Sequence, residues 1–163
     1  MIKILFICHG NICRSPMAEF ILKDMTTKQH LTTEFEIASA ATSSEEIWNG
    51  IGNPVYPSAR EELARHGIDC AGKRARQLTK SDYSVYDYLI GMDERNIRNM
   101  HRILGGDPEH KISKLLDYTE KKGRDIADPW YTGNFTATYR DIAEGCEALL
   151  AQLKREKVYS ERS

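Results

Sequence analysis

Two rhythms of apolar and polar positions run along the chain of 163 residues. Ile4-Leu5-Phe6-Ile7 has no polar partner positions, which predicts a parallel strand covered on both faces. Met17, Phe20, Ile21 and Met25 then fall on one face of a helix. Phe35-Glu36-Ile37-Ala38 predicts a short second strand, and residues 39–44 a polar turn. Ser58-Ala59-Arg60-Glu61, with Pro57 before it, reads as a capping box opening a helix that ends near His66-Gly67. Residues 86–92 predict another strand, Asp93 caps a helix carrying Ile97, Met100 and Leu104, and residues 111–116 predict a last strand. From Phe135 to about Leu153 the apolar set that includes Ile142, Cys146, Leu149 and Leu150 marks the longest helix. The charged tail from about residue 155 is expected to fray. Strands alternating with helices predict an open parallel α/β sheet, with ligands bound outside the carboxyl ends of its strands.

The first strand ends in Cys8-His9-Gly10-Asn11-Ile12-Cys13-Arg14-Ser15-Pro16, a short loop leading into a helix. Ser15 reads as the helix cap and Pro16 as its first residue. Such a loop gathers backbone N–H groups around one point, and the helix dipole adds positive potential, so it suits a tetrahedral oxyanion. A thiol beside a guanidinium and a helix N-terminus is acidified, and Cys8 is expected to act as a thiolate nucleophile. Arg14 has the planar fork to hold two phosphate oxygens, and the Ser15 hydroxyl can donate to the sulfur. Gly10 permits a turn that a side chain would block, and Asn11 tolerates the left-handed backbone. The backbone of His9, Gly10, Asn11, Ile12 and Cys13 is therefore the expected phosphate cradle.

The spelling CHGNICRSPMAE after a strand resembles the signature of the low-molecular-weight protein tyrosine phosphatases. Ser39-Ala40-Ala41-Thr42-Ser43, His66-Gly67-Ile68, Ala75-Arg76-Gln77-Leu78, Met92-Asp93-Glu94 and Asp128-Pro129-Trp130-Tyr131 resemble family blocks in family order. The resemblance implies a single three-layer, flavodoxin-like domain over residues 1–163, with an open four-stranded parallel sheet and helices on both faces. It implies hydrolysis of phosphotyrosine monoesters through a cysteinyl-phosphate, without metal or cofactor. By the same resemblance Asp128 is the general acid; on its residues alone, an aspartate before a proline reads as a turn residue. Trp130 and Tyr131 beside it are expected to shield its carboxyl and, with Trp48, to wall the substrate cleft. Trp48 on its own residues is equally a loop-packing residue. Many family members carry a histidine at the position of Gly72, where it braces the phosphate loop; here the loop is expected to be braced otherwise, or to be looser.

Composition narrows the alternatives. A net charge of −1 excludes a bulk basic footprint for nucleic acid, so attraction for phosphate must be local. Arg74, Arg76 and Lys80 read as a solvated basic face. The first apolar run is too short for a leader or a membrane span, which points to a cytoplasmic protein. The resemblance implies a mostly monomeric protein with phosphotyrosine proteins or peptides and inorganic phosphate as its partners. Four cysteines without a C-x-x-C disfavour a disulfide scaffold or zinc site. Cys13, close to Cys8, is a candidate redox guard. An arsenate reductase on this scaffold would need a cysteine relay, but Cys70 stands alone and Cys146 faces a helix core. Relatives that act on phosphoarginine carry threonine where this chain has Ile12, which favours phosphotyrosine.

Overall fold

A computed structural model describes the backbone of residues 1–162 and the side chains of residues 1–157. Strands β1 (Ile2–Cys8), β2 (Phe35–Ala41), a hairpin of β3 (Ile47–Trp48) and β4 (Ile51–Gly52), β5 (Tyr88–Gly91) and β6 (Ile112–Lys114) alternate with helices α1 (Arg14–Lys28), α2 (Pro57–Arg65), α3 (Asp82–Val85), α4 (Glu94–Leu104), α5 (Pro129–Thr132) and α6 (Phe135–Arg162). The main sheet has the order β2-β1-β5-β6, and all its pairings are parallel. Being central, β1 is hydrogen-bonded on both edges and buried on both faces, as its unbroken apolar run requires.

The alternation of side chains along β1 divides the core between two faces. Ile4, Phe6 and Cys8 pack with Met17, Ile21 and Leu22 of α1 and with Ile142, Cys146, Leu149 and Leu150 of α6. Leu5 and Ile7 pack on the other face with Leu89, Met100 and Leu104. The expected three-layer α/β architecture is therefore present. A methyl group at Gly145 in α6 would stand 2.5 Å from the Cγ of buried Leu115, so glycine there lets the 3₁₀ turn Leu115–Tyr118 seat against the helix.

Several expected boundaries moved, each for a local reason. Of the segment read as a polar turn, residues 39–41 belong to β2, because the buried Ser39 hydroxyl bonds within the protein instead of to water, while residues 42–44 do bend. Helix α1 starts at Arg14 and has no side-chain cap, so Ser15 and Pro16 are its second and third residues. Pro16 still falls among the first four residues, whose N–H groups lack partners inside a helix, and costs nothing there. The Ser58–Glu61 capping box does not form; α2 begins at Pro57, whose ring presets the first helical residue. Asp93 does cap α4, accepting from the Asn96 amide at 2.8 Å. Strand β6 is shorter than expected because Leu115 and Leu116 turn into the core. Arg76 is no free surface charge: it grips both carboxylate oxygens of Asp82 at 3.1 and 3.2 Å. The charged tail continues α6, with Lys154 donating to Gln29 and the Tyr88 hydroxyl to Glu156.

Candidate active site

The loop from Cys8 to Arg14 crosses the carboxyl end of β1 and lines a cleft of about 220 Å³ with Asp128, Trp130 and Tyr131. Cys8 Sγ lies 3.0 Å from the Ser15 hydroxyl and 3.4 Å from the Ser15 amide. The amides of residues 10–14 donate to no protein acceptor among the described residues. Buried N–H groups are rarely left so, and on a loop that rims a cleft they are available to an anion.

The back of the loop is held by a directed chain of hydrogen bonds. Asn11, at φ 60°, turns its side chain away from the cleft. Its Oδ1 accepts from the Arg76 amide at 3.1 Å, while its Nδ2 donates to Ser15 at 2.7 Å and to Ser39 at 2.9 Å. Ser39 donates in turn to the buried Glu19 carboxylate at 2.6 Å. Because Ser15 accepts from Asn11, its own proton is free to donate, with the Cys8 sulfur at 3.0 Å as the nearer acceptor and the Ala40 carbonyl at 3.5 Å as the farther one. Glu19 is neutralised by Lys23 at 2.6 Å and Lys73 at 3.5 Å, and Lys73 also donates to the Ser39 carbonyl at 2.9 Å. Burial pushes the Lys73 amine down, against the pull of Glu19. Gly72, at φ 87°, takes no part; Lys73 beside it holds the Ser39 and Glu19 to which Asn11 of the loop is tied.

Arg14 is 2% exposed, so its charge needs partners. Nη1 donates to Asp93 at 2.6 Å and to the Ile126 carbonyl at 2.9 Å, and Nη2 reaches Asp128 at 3.4 Å. Burial works against this guanidinium, but Cys8, Asp93 and Asp128 together overcome it and hold its pKa above the ordinary value. Asp128 ends an extended residue (ψ 115°) and accepts from the Trp130 amide at 3.0 Å, which anchors α5. With a polar contact to Arg14 and a quarter of its side chain exposed, its apolar shielding by Trp130 and Tyr131 is only partial. Trp130 packs edge-on to Tyr56 with centroids 5.1 Å apart, and Tyr56 stacks on Phe135. Burial, reinforced by Cys8 and Asp128, pushes the Cys13 thiol up, so Cys13 sits at the site as a thiol.

Trp48 does not wall this cleft. It is 84% exposed on β3, where side chains alternate: Ile47 packs toward Ile12 and Cys13, so Trp48 faces the other way. The opposite lip is instead formed by Glu45, paired with His9 at 2.9 Å, and Glu46, which accepts from the Asn53 side chain at 2.7 Å. Arg95 completes the rim. The sequence reading missed these three, together with Glu19, Ser39 and Lys73. Glu19 had a signal: it lies between Met17 and Ile21 on an otherwise apolar stretch of helix.

A thiol, a guanidinium and a carboxyl around an amide-lined cleft at a strand end define a site built for oxyanion chemistry. A family model, low molecular weight phosphotyrosine protein phosphatase, matches residues 3–159. The chain is 42% identical over 158 residues to the low molecular weight protein-tyrosine-phosphatase YfkJ of Bacillus subtilis, covering 96% of this chain and 99% of that one. The crystal structure of YfkJ superposes with a TM-score of 0.90, covering 96% of this chain and 97% of that one. The human low molecular weight phosphotyrosine protein phosphatase is 37% identical over 91% of this chain and 93% of its own. The chain belongs to the low molecular weight phosphotyrosine protein phosphatase family.

Proposed function

We propose that this protein hydrolyses phosphotyrosine monoesters in two steps at the Cys8 loop, as a single catalytic domain. In the first, the Cys8 thiolate attacks phosphorus in line while the loop amides of residues 9–13 and the Arg14 fork hold the three equatorial oxygens. The S–P bond forms as the P–O bond to the phenol breaks, and Asp128 gives its proton to the departing oxygen. In the second, the Asp128 carboxylate takes a proton from water, which attacks the cysteinyl-phosphate. Phosphate forms and the thiolate leaves, stabilised by the proton of Ser15. Arg14 and the loop dipoles supply the charge compensation. Trp130 and Tyr131 are the aromatic wall for a flat phenyl ring. Its partners are phosphotyrosine proteins or peptides and inorganic phosphate. Among the described residues no helix is long and apolar enough to cross a membrane. A mostly monomeric, cytoplasmic protein is the reading we favour.

The observation that carries this mechanism is the Ser15 hydroxyl, which accepts from Asn11 and lies 3.0 Å from Cys8 Sγ, its nearer acceptor. The test is release of phosphate from phosphotyrosine, phosphoarginine and phosphoserine peptides, with and without vanadate. Vanadate-sensitive turnover of the phosphotyrosine peptide is expected to lead. Cys8→Ser should abolish it while inorganic phosphate still binds, and turnover surviving that change would overturn the mechanism.

A further inference from the structure

The rim of the cleft is electrically lopsided. On one lip, Glu45 pairs with His9 and Glu46 accepts from the Asn53 side chain. On the other side of the β1 loop, because β1 lies between β2 and β5, Arg95 is exposed at the second residue of α4, two positions beyond the Asp93 that holds Arg14. The basic side chains lining the cleft are Arg14, His9 and Arg95. Arg14 is neutralised by Asp93 and Asp128, and His9 faces Glu45. Arg95 alone of the three makes no ion pair among the described residues. Its guanidinium is therefore the unpaired positive group at the rim of the cleft.

We infer that Arg95 is a specificity-determining residue: it recognises a carboxylate on one flank of the phosphotyrosine, while Glu45 and Glu46 disfavour acidic residues on the other. This rests on the phosphotyrosine reading and gives it a substrate class, peptides whose negative charge lies to one side of the phosphorylated ring. The physical basis is the sign of the field at each lip. An acidic side chain near Arg95 gains a charge-assisted contact, and the same side chain near the glutamates is repelled without a compensating partner. Since the rim is wet, the gain belongs to the class of exposed ion pairs, about two- to fivefold in kcat/KM, and fades with salt.

The test uses phosphotyrosine peptides in which one aspartate is moved through the three positions on either side, against a peptide with alanine throughout. In the parent protein, aspartate on one flank should raise kcat/KM about two- to fivefold and on the other lower it, and the contrast should shrink in about 1 M salt. In Arg95→Glu the aspartate-to-alanine ratio on the favoured flank should fall below one. Arg98→Glu, the same charge change on α4 at an exposed residue outside the cleft, should keep the parent ratio. An equal ratio in the parent and in Arg95→Glu, or an equal loss in Arg98→Glu, would overturn the role of Arg95. Failure of the parent to turn over any of these peptides would instead remove the phosphotyrosine reading, and this inference with it.

Discussion

Replacing Ser39 by alanine removes one buried oxygen and two hydrogen bonds, the 2.6 Å donation to Glu19 and the 2.9 Å acceptance from Asn11. A bond to a charged group contributes about 1.5–3 kcal/mol, so stability should fall by that order. For a chain of this size that is a melting temperature lower by roughly 3–12 °C. The second loss is positional. With Asn11 tethered only by Ser15 and the Arg76 amide, its hold on the direction of the Ser15 proton weakens. A neutral hydrogen bond of about 0.5–1.5 kcal/mol net corresponds to roughly a two- to tenfold fall in kcat/KM if it is expressed in the transition state. Ser39 does not touch the sulfur, so the fall should run through Ser15. The assay is a double-mutant cycle on phosphotyrosine-peptide hydrolysis with Ser39→Ala, Ser15→Ala and the pair. Ser39→Ala should cost little more once Ser15 is gone. An equal fold-loss in both backgrounds would refute the chain from Ser39 to the nucleophile.

Asp128→Asn, which cannot give or take the proton, should lower kcat on phosphotyrosine peptides by about a hundredfold or more, and a leaving group that needs no proton should be affected least; equal losses on good and poor leaving groups would remove the acid role. Glu62 is buried, which opposes its charge, but it accepts from the Thr136 hydroxyl and from His66 at 3.2 Å and pairs with Arg65, so its carboxyl is held below the usual range. A depressed carboxylate adds stability above its unfolded pKa of about 4.3 and loses it as pH falls through the folded value. Melting temperatures should therefore drop on acidification below about pH 4.3, and Glu62→Gln should flatten that drop; parallel curves would exclude it as a contributor. Cys13→Ser should recover less activity than the parent after peroxide followed by a thiol reductant, because a Cys8–Cys13 disulfide shields the nucleophile from further oxidation; equal recovery removes the guard role.

The chain alone fixed whatever depends on neighbours in sequence. The apolar run of β1 dictated a central parallel strand, and the spacing in α6 dictated which face is buried, whereas α1 is buried all round at its start and leaves Phe20 and Met25 only partly covered. The C-x5-R-S spacing placed thiol, guanidinium and hydroxyl around one turn, because the chain between Cys8 and Arg14 doubles back from a strand end into a helix start. What depends on residues far apart in sequence was decided by the tertiary structure. Ser39 looked like a turn residue until Glu19 and Asn11 were seen to satisfy its hydroxyl. Trp48 looked like a cleft wall until the hairpin's alternation turned it outward. Lys73 came to support the anchor of the loop through contacts with Glu19 and Ser39, 54 and 34 residues away along the chain. A polar side chain's role is set by which partner meets it in the interior, and only the folded chain brings those partners together.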